Sequence, residues 1–246
     1  MDNVSDALQK LLGAFGRNEP PAITLTELLL TVVLATALSI PRRSWRYFGL
    51  LATVVHELGH AVSAVTSGQR LSGIRLRFDH SGTTTAYSRS RLATAWSCFW
   101  GYPAPALVGS AFVWCGHTGW GPASIAAGIV ALAASLLFLR NLSGVLITSA
   151  AIAAAVGLLL LLPASFAGHA AVVLGLALLV AAVRDLLKLA NVHLRRRERL
   201  ASSDAFLLYR ITAVPSAVWI ALFACVVAGS WALAWQPIAV ILLAGA

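Results

Sequence analysis

Along this chain the apolar residues come in long runs, separated by short polar or basic stretches. Runs at about 23–40, 47–66, 95–115, 122–139, 142–162, 169–189 and 211–232 approach or reach the roughly 18–20 residues that a helix needs to cross a hydrocarbon core. A shorter apolar tail, 234–246, follows. The pattern predicts an all-α polytopic membrane protein, a bundle of about seven to eight transmembrane helices. Two stretches depart from it. In 1–22, Val4, Leu8, Leu11, Leu12 and Phe15 recur at helical spacing before Pro20 and Pro21, which predicts an amphipathic segment lying on the membrane. Residues 23–246 then form a single transmembrane domain. After the second run, Ile74, Leu76 and Phe78 alternate with Arg75, Arg77 and Asp79, and His80-Ser81-Gly82 makes a turn. Alternation resumes at Thr83, Thr85 and Tyr87, predicting a β-hairpin over 73–88.

Composition sharpens this picture. The chain is 59% hydrophobic and 11% charged, whereas soluble domains are nearer 45–50% apolar and about 25% charged. A net charge of +9 raises nucleic acid as a partner, but the basic residues cluster between apolar runs rather than on a compact domain, so none is expected. The lipid bilayer is the expected partner instead, and the run Arg195–Arg199 in a basic cytoplasmic loop, 190–203, suits anionic headgroups. With a cytoplasmic N-terminus and one crossing per run, all Lys and Arg except Arg42, Arg43 and Arg46 fall on the cytoplasmic side. Cys98, Cys115 and Cys225 lie inside apolar runs without metal-ligand spacing and read as small core residues.

The chemistry concentrates in His56-Glu57-Leu58-Gly59-His60, inside the second run. Residues four apart share a helix face, so both imidazoles can grip one zinc ion while Glu57, one position round, reaches a water bound to it. A charged residue at this depth costs about 2.5 kcal/mol or more unless it faces a polar cavity. A catalytic zinc takes three protein ligands and leaves a position for water. The acidic candidates for the third are Asp79, Asp185, Glu198 and Asp204. Asp185 has Arg184 and Lys188 beside it, the pattern of a solvated helix end. Asp204, in Ser202-Ser203-Asp204-Ala205, could equally open a helix.

These residues resemble a known family. The His56–His60 motif in a membrane helix, the following hairpin and Gly101-Tyr102-Pro103 are similar to the site-2 protease clan of intramembrane zinc peptidases. Arg140-Asn141-Leu142-Ser143-Gly144, and Ser203-Asp204-Ala205 through Thr212, Pro215 and Trp219, resemble its M50B-like branch (peptidase family M50). The likeness covers about 45–232. The clan's Asn-x-x-Pro-x-x-x-x-Asp-Gly motif is absent, and the branch signature raises Asp204 over Asp185.

The resemblance implies a metalloendopeptidase with one zinc held by His56, His60 and Asp204, and Glu57 as the catalytic base. It also implies a membrane-protein substrate, cut in or near a transmembrane segment, and a multi-pass place in a bacterial plasma membrane. The hairpin would present a strand edge to that substrate. The alternative is a non-proteolytic metal-binding scaffold or transporter that keeps the fold.

Overall fold

The computed structural model describes residues 2–195, 200 and 203–244. Among these are helices α1 (Asp2–Gly13), α2 (Leu25–Ser39), α3 (Arg42–Thr66), α4 (Arg91–Phe99), α5 (Pro103–His117), α6 (Gly121–Leu136), α7 (Leu142–Leu161), α8 (Ala164–Arg195), α9 (Asp204–Thr212) and α10 (Ser216–Ala244). Strands β1 (Arg70–Leu76) and β2 (Gly82–Tyr87) form an antiparallel hairpin between α3 and α4. Residues 196–199, 201 and 202 of the expected basic loop, with Glu198 and most of the Arg195–Arg199 run, lie outside the described residues.

Four described helices are long and apolar enough to cross a membrane: α3, α7, α8 and α10. Helices α2 and α6 are apolar but shorter. Two boundaries differ from the sequence expectation. The third run is split at Trp100–Tyr102 into α4 and α5, because Pro103 and Pro105 suit the first turn of a new helix and withhold amides from a continuous one. The tail expected at 234–246 continues α10, with Pro237 accommodated inside it. Cys98 and Cys115 are half-buried, but Cys225 is exposed on α10 and is no core residue.

Helices α5 and α8 pack antiparallel through glycines that let their backbones meet: a Cβ on Gly109 would lie 2.7 Å from the Gly175 carbonyl oxygen, and one on Gly116 2.6 Å from that of Gly168. Around this pair Val113, Val172, Leu176 and Leu179 form the main core with Leu28, Ala35, Phe48 and Ala52. Helix α2 runs parallel to α8. Pro21 packs on Gly168 at one end, and at the other the Arg184 guanidinium donates to the Ser39 and Ile40 carbonyls (2.7 and 3.1 Å) and lies 4.1 Å over the Trp45 ring.

This packing fixes which connections share an end of the bundle. The Asn18 amide donates to the Gly119 carbonyl (2.9 Å), Arg17 to that of Thr118 (3.2 Å), and Gly121 packs on Gly168. The N-terminal segment therefore sits with loops 118–120 and 163–168, opposite the α8–α9 connection. The expectation of an N-terminus on the side of loop 190–203 is corrected. The physical reason is that α2 and α5 run in opposite directions along α8, so α3, the hairpin and α4 make no net crossing between them. Arg42, Arg43 and Arg46, at the start of α3, consequently lie toward the α8–α9 end with Arg184, while Arg17 lies at the other.

Candidate metal centre

His56, Glu57 and His60 lie in α3, and the helix puts the two imidazoles on one face, with ring centroids 4.8 Å apart. Asp204 is the first residue of α9. Its neighbour Ser203 is the cap: the Ser203 hydroxyl accepts from the Phe206 amide (3.3 Å) and pairs with His193 Nε2 (3.0 Å). With capping done by Ser203, the Asp204 carboxylate is free to turn toward α3. Its Oδ2 stands 3.3 Å from His56 Nε2 and 3.3 Å from His60 Nε2, and the two Nε2 atoms are 3.2 Å apart.

That triangle fits zinc. Ligand atoms about 2.0–2.1 Å from a tetrahedral zinc lie about 3.3–3.4 Å from one another. Two imidazole nitrogens and one carboxylate oxygen are also the donor types zinc prefers. His60 Nδ1 is 2.8 Å from the Ser97 carbonyl oxygen, which can only accept, so the proton is on Nδ1 and the Nε2 lone pair faces the triangle. The Tyr102 ring braces His56 edge-on at 4.9 Å. Among the described residues this is where histidine and acidic side chains converge closely enough to hold a metal ion.

The other candidates lie elsewhere. Asp185 is not part of the converging group. Asp79 is spent in the hairpin turn, where its Oδ1 accepts from the Ser81 amide at 3.0 Å, and the Ser81 hydroxyl and amide hold its carboxyl below the usual carboxylate range. His80 is 3.2 Å from the Arg46 carbonyl, and His117 from that of Val113 at 2.8 Å.

Glu57 is 4% exposed and lies under the hairpin. Its Oε2 accepts from the Thr84 hydroxyl at 2.6 Å, and a Cβ on Gly82 would come within 2.4 Å of Oε1. Sequence reasoning missed Thr84, Ser97 and the reason for two glycines. A Cβ on Gly101 would fall 2.4 Å from His60 Nε2 and 2.7 Å from His56 Nε2, inside the space a metal would use. One on Gly59 would fall 2.4 Å from the Trp100 carbonyl oxygen, so α3 approaches the α4–α5 break only with glycine there. The bare glycine at the break was the available signal. A cavity of about 1,810 Å³ runs along the opposite face of α3, past Leu51, Val55, Leu58 and Val62, and is not lined by the three converging residues.

The hairpin is held from behind. The Ile74 amide donates to the Phe138 carbonyl (2.8 Å) and its carbonyl accepts from the Arg140 amide (2.9 Å). Asn141 bonds both backbone groups of Leu76, accepting from the amide at 3.2 Å and donating to the carbonyl at 2.6 Å. Strand β1 is thus paired on both sides, and the open edge of the hairpin belongs to β2.

No curated protein and no solved structure gives a significant match to this chain. A family model does: the one described as Peptidase M50B-like matches residues 29–234, a stretch that takes in the α3 motif, the hairpin with its Asn141 anchor, the α4–α5 break and Asp204. A match over that much of the sequence settles the kinship, and the chain belongs to the M50B-like peptidases of the site-2 protease, M50 group.

Proposed function

We propose that this chain is an intramembrane zinc endopeptidase that hydrolyses a peptide bond in or near a transmembrane segment of another membrane protein. The observation that carries the reading is the convergence of His56, His60 and Asp204, with Glu57 adjacent on α3. His56 and His60 would hold zinc through Nε2 and Asp204 through a carboxylate oxygen. A zinc ion so held lowers the pKa of its bound water to about 7 and polarises a carbonyl oxygen. Glu57 accepts the proton of the attacking water on its carboxylate and delivers it to the leaving nitrogen. The open edge of β2 supplies backbone partners for an unwound substrate segment, whose amide and carbonyl groups would otherwise be unsatisfied in lipid. The scaffold or transporter alternative is not favoured by membership of a peptidase family.

The same reading sets the chain in a membrane as a multi-pass helical protein. Exposed Leu8, Leu12 and Phe15 support α1 lying against lipid beside the transmembrane domain. Because, among the described residues, Lys10 and Arg17 are the basic ones at the N-terminal end while Arg42, Arg43, Arg46, Arg184 and Lys188 lie toward the α8–α9 end, that second end faces the cytoplasm and the N-terminus is external.

The test is purified protein assayed for zinc and for cleavage of single-span membrane proteins. Glu57→Gln should keep stoichiometric zinc and lose cleavage. Equal cleavage by Glu57→Gln would sink the peptidase mechanism. Reporters placed at the N-terminus and in 163–168 should both be external, and one in 190–203 cytoplasmic.

A further inference from the structure

Glu57 is a long side chain whose fixation costs rotamer freedom, and it is buried where few water molecules can solvate its carboxylate. The donor that meets it comes from β2. Thr84 Oγ1 donates to Glu57 Oε2 at 2.6 Å and lies 3.2 Å from the Glu57 carbonyl oxygen, so the hydroxyl ties the carboxylate to its own helix. Thr84 is the residue paired with Ile74 across the hairpin. Ile74 is in turn the β1 residue whose amide and carbonyl bond Phe138 and Arg140, while Asn141 and Ser143 hold the next inward-facing residue, Leu76. One row of cross-strand contacts therefore runs from the 138–141 segment through Ile74 and Thr84 to Glu57.

We infer that Thr84 is a positioning residue for the catalytic carboxylate, and that the hairpin, anchored by Arg140 and Asn141, is the rigid arm that sets its place. The inference rests on the peptidase reading above. It gives the hairpin a role beyond offering an edge to substrate. It also accounts for Asn141, which contacts none of the converging histidine and acidic residues yet fixes the strand that carries the arm. Gly82, the inward-facing residue before Thr84, keeps the second carboxylate oxygen clear of any side chain.

The experiment uses the full chain in detergent with labelled β-casein as a loosely structured probe substrate, and compares Thr84→Val, Thr84→Ser, Asn141→Ala and Glu57→Gln with the wild type. Loss of a hydrogen bond to a charged group predicts that kcat falls about ten- to a hundredfold in Thr84→Val. KM and zinc content should stay unchanged, and Thr84→Ser should recover most of the rate. Asn141→Ala should lower kcat in the same direction by a smaller factor. As a readout independent of turnover, Glu57→Ala should speed amide hydrogen exchange across 82–87 and leave 91–99 unaffected. Wild-type kcat in Thr84→Val, an effect on KM alone, loss of zinc, or no recovery by serine would each overturn the assignment. Should the wild type cleave no faster than Glu57→Gln, the peptidase reading fails; should only Thr84→Val match the wild type, the positioning role alone fails.

Discussion

At one end of the bundle Asp204 meets His56 and His60, each at 3.3 Å; at the other Glu27 approaches His169 no closer than 3.8 Å. Both places offer a carboxylate and imidazole in apolar surroundings. The difference is in what else each group is doing. Glu27 is committed to the capping box of α2, where its Oε2 accepts from the Thr24 amide (2.8 Å) and hydroxyl (2.9 Å). Both ring nitrogens of His169 are buried without a hydrogen-bond partner, and the ring rests against Phe166, 5.6 Å between centroids, rather than being aimed by an acceptor. Asp204 has been relieved of capping by Ser203, and His60 is oriented by the Ser97 carbonyl. Residue types alone do not make a metal centre; free lone pairs aimed at one point do.

The largest effect that would break this contrast is at the ligands. His56→Ala, His60→Ala or Asp204→Ala should each remove most bound zinc and abolish cleavage, because a two-ligand site holds metal weakly at neutral pH. Asp185→Ala should retain zinc by elemental analysis. If the two aspartate variants exchange phenotypes, the Asp204 assignment is wrong. Next in size is Gly101→Ala, whose methyl would occupy space beside both Nε2 atoms. Zinc affinity should drop at least about tenfold, and the helices should move apart or the rings rotate. Titration of the apo-protein with zinc measures it, and wild-type affinity would mean that the rings are not confined. The smallest effect on the site is at the far end: His169→Ala should leave zinc and cleavage as they were, because neither Asp204 nor the α3 histidines touch it. A zinc deficit in His169→Ala would erase the distinction between the two ends.

Much of this was legible in the sequence, for reasons of local geometry. The i, i+4 histidines share a face whatever else the chain does, and the alternation at Ile74 and Leu76 correctly buries those two residues while Arg75 is exposed. What escaped depends on contacts between distant segments. No periodicity reveals that Thr84 reaches Glu57, or that Gly101 stands over both imidazoles. Hydropathy was equally silent on direction. A run's length says nothing about where its ends return, and it is Arg184 that holds the start of α3 beside the C-terminal half of α8. Asn141 was noticed as part of a signature, while its task, pinning a strand by both backbone groups of Leu76, is invisible until the strand is in place.

The placement of the third donor has a consequence for biogenesis. His56 and His60 emerge early from the ribosome, but Asp204 is separated from them by roughly 140 residues and by α4 to α8, and a ring of that length closes only after its intervening segments have been inserted. A nascent chain thus carries the histidines and Glu57 through most of its synthesis without a complete metal cage. On the proposed function, hydrolytic competence would wait until α9 docks, on a bundle in which α2 to α8 are already in place and α10 is still to come.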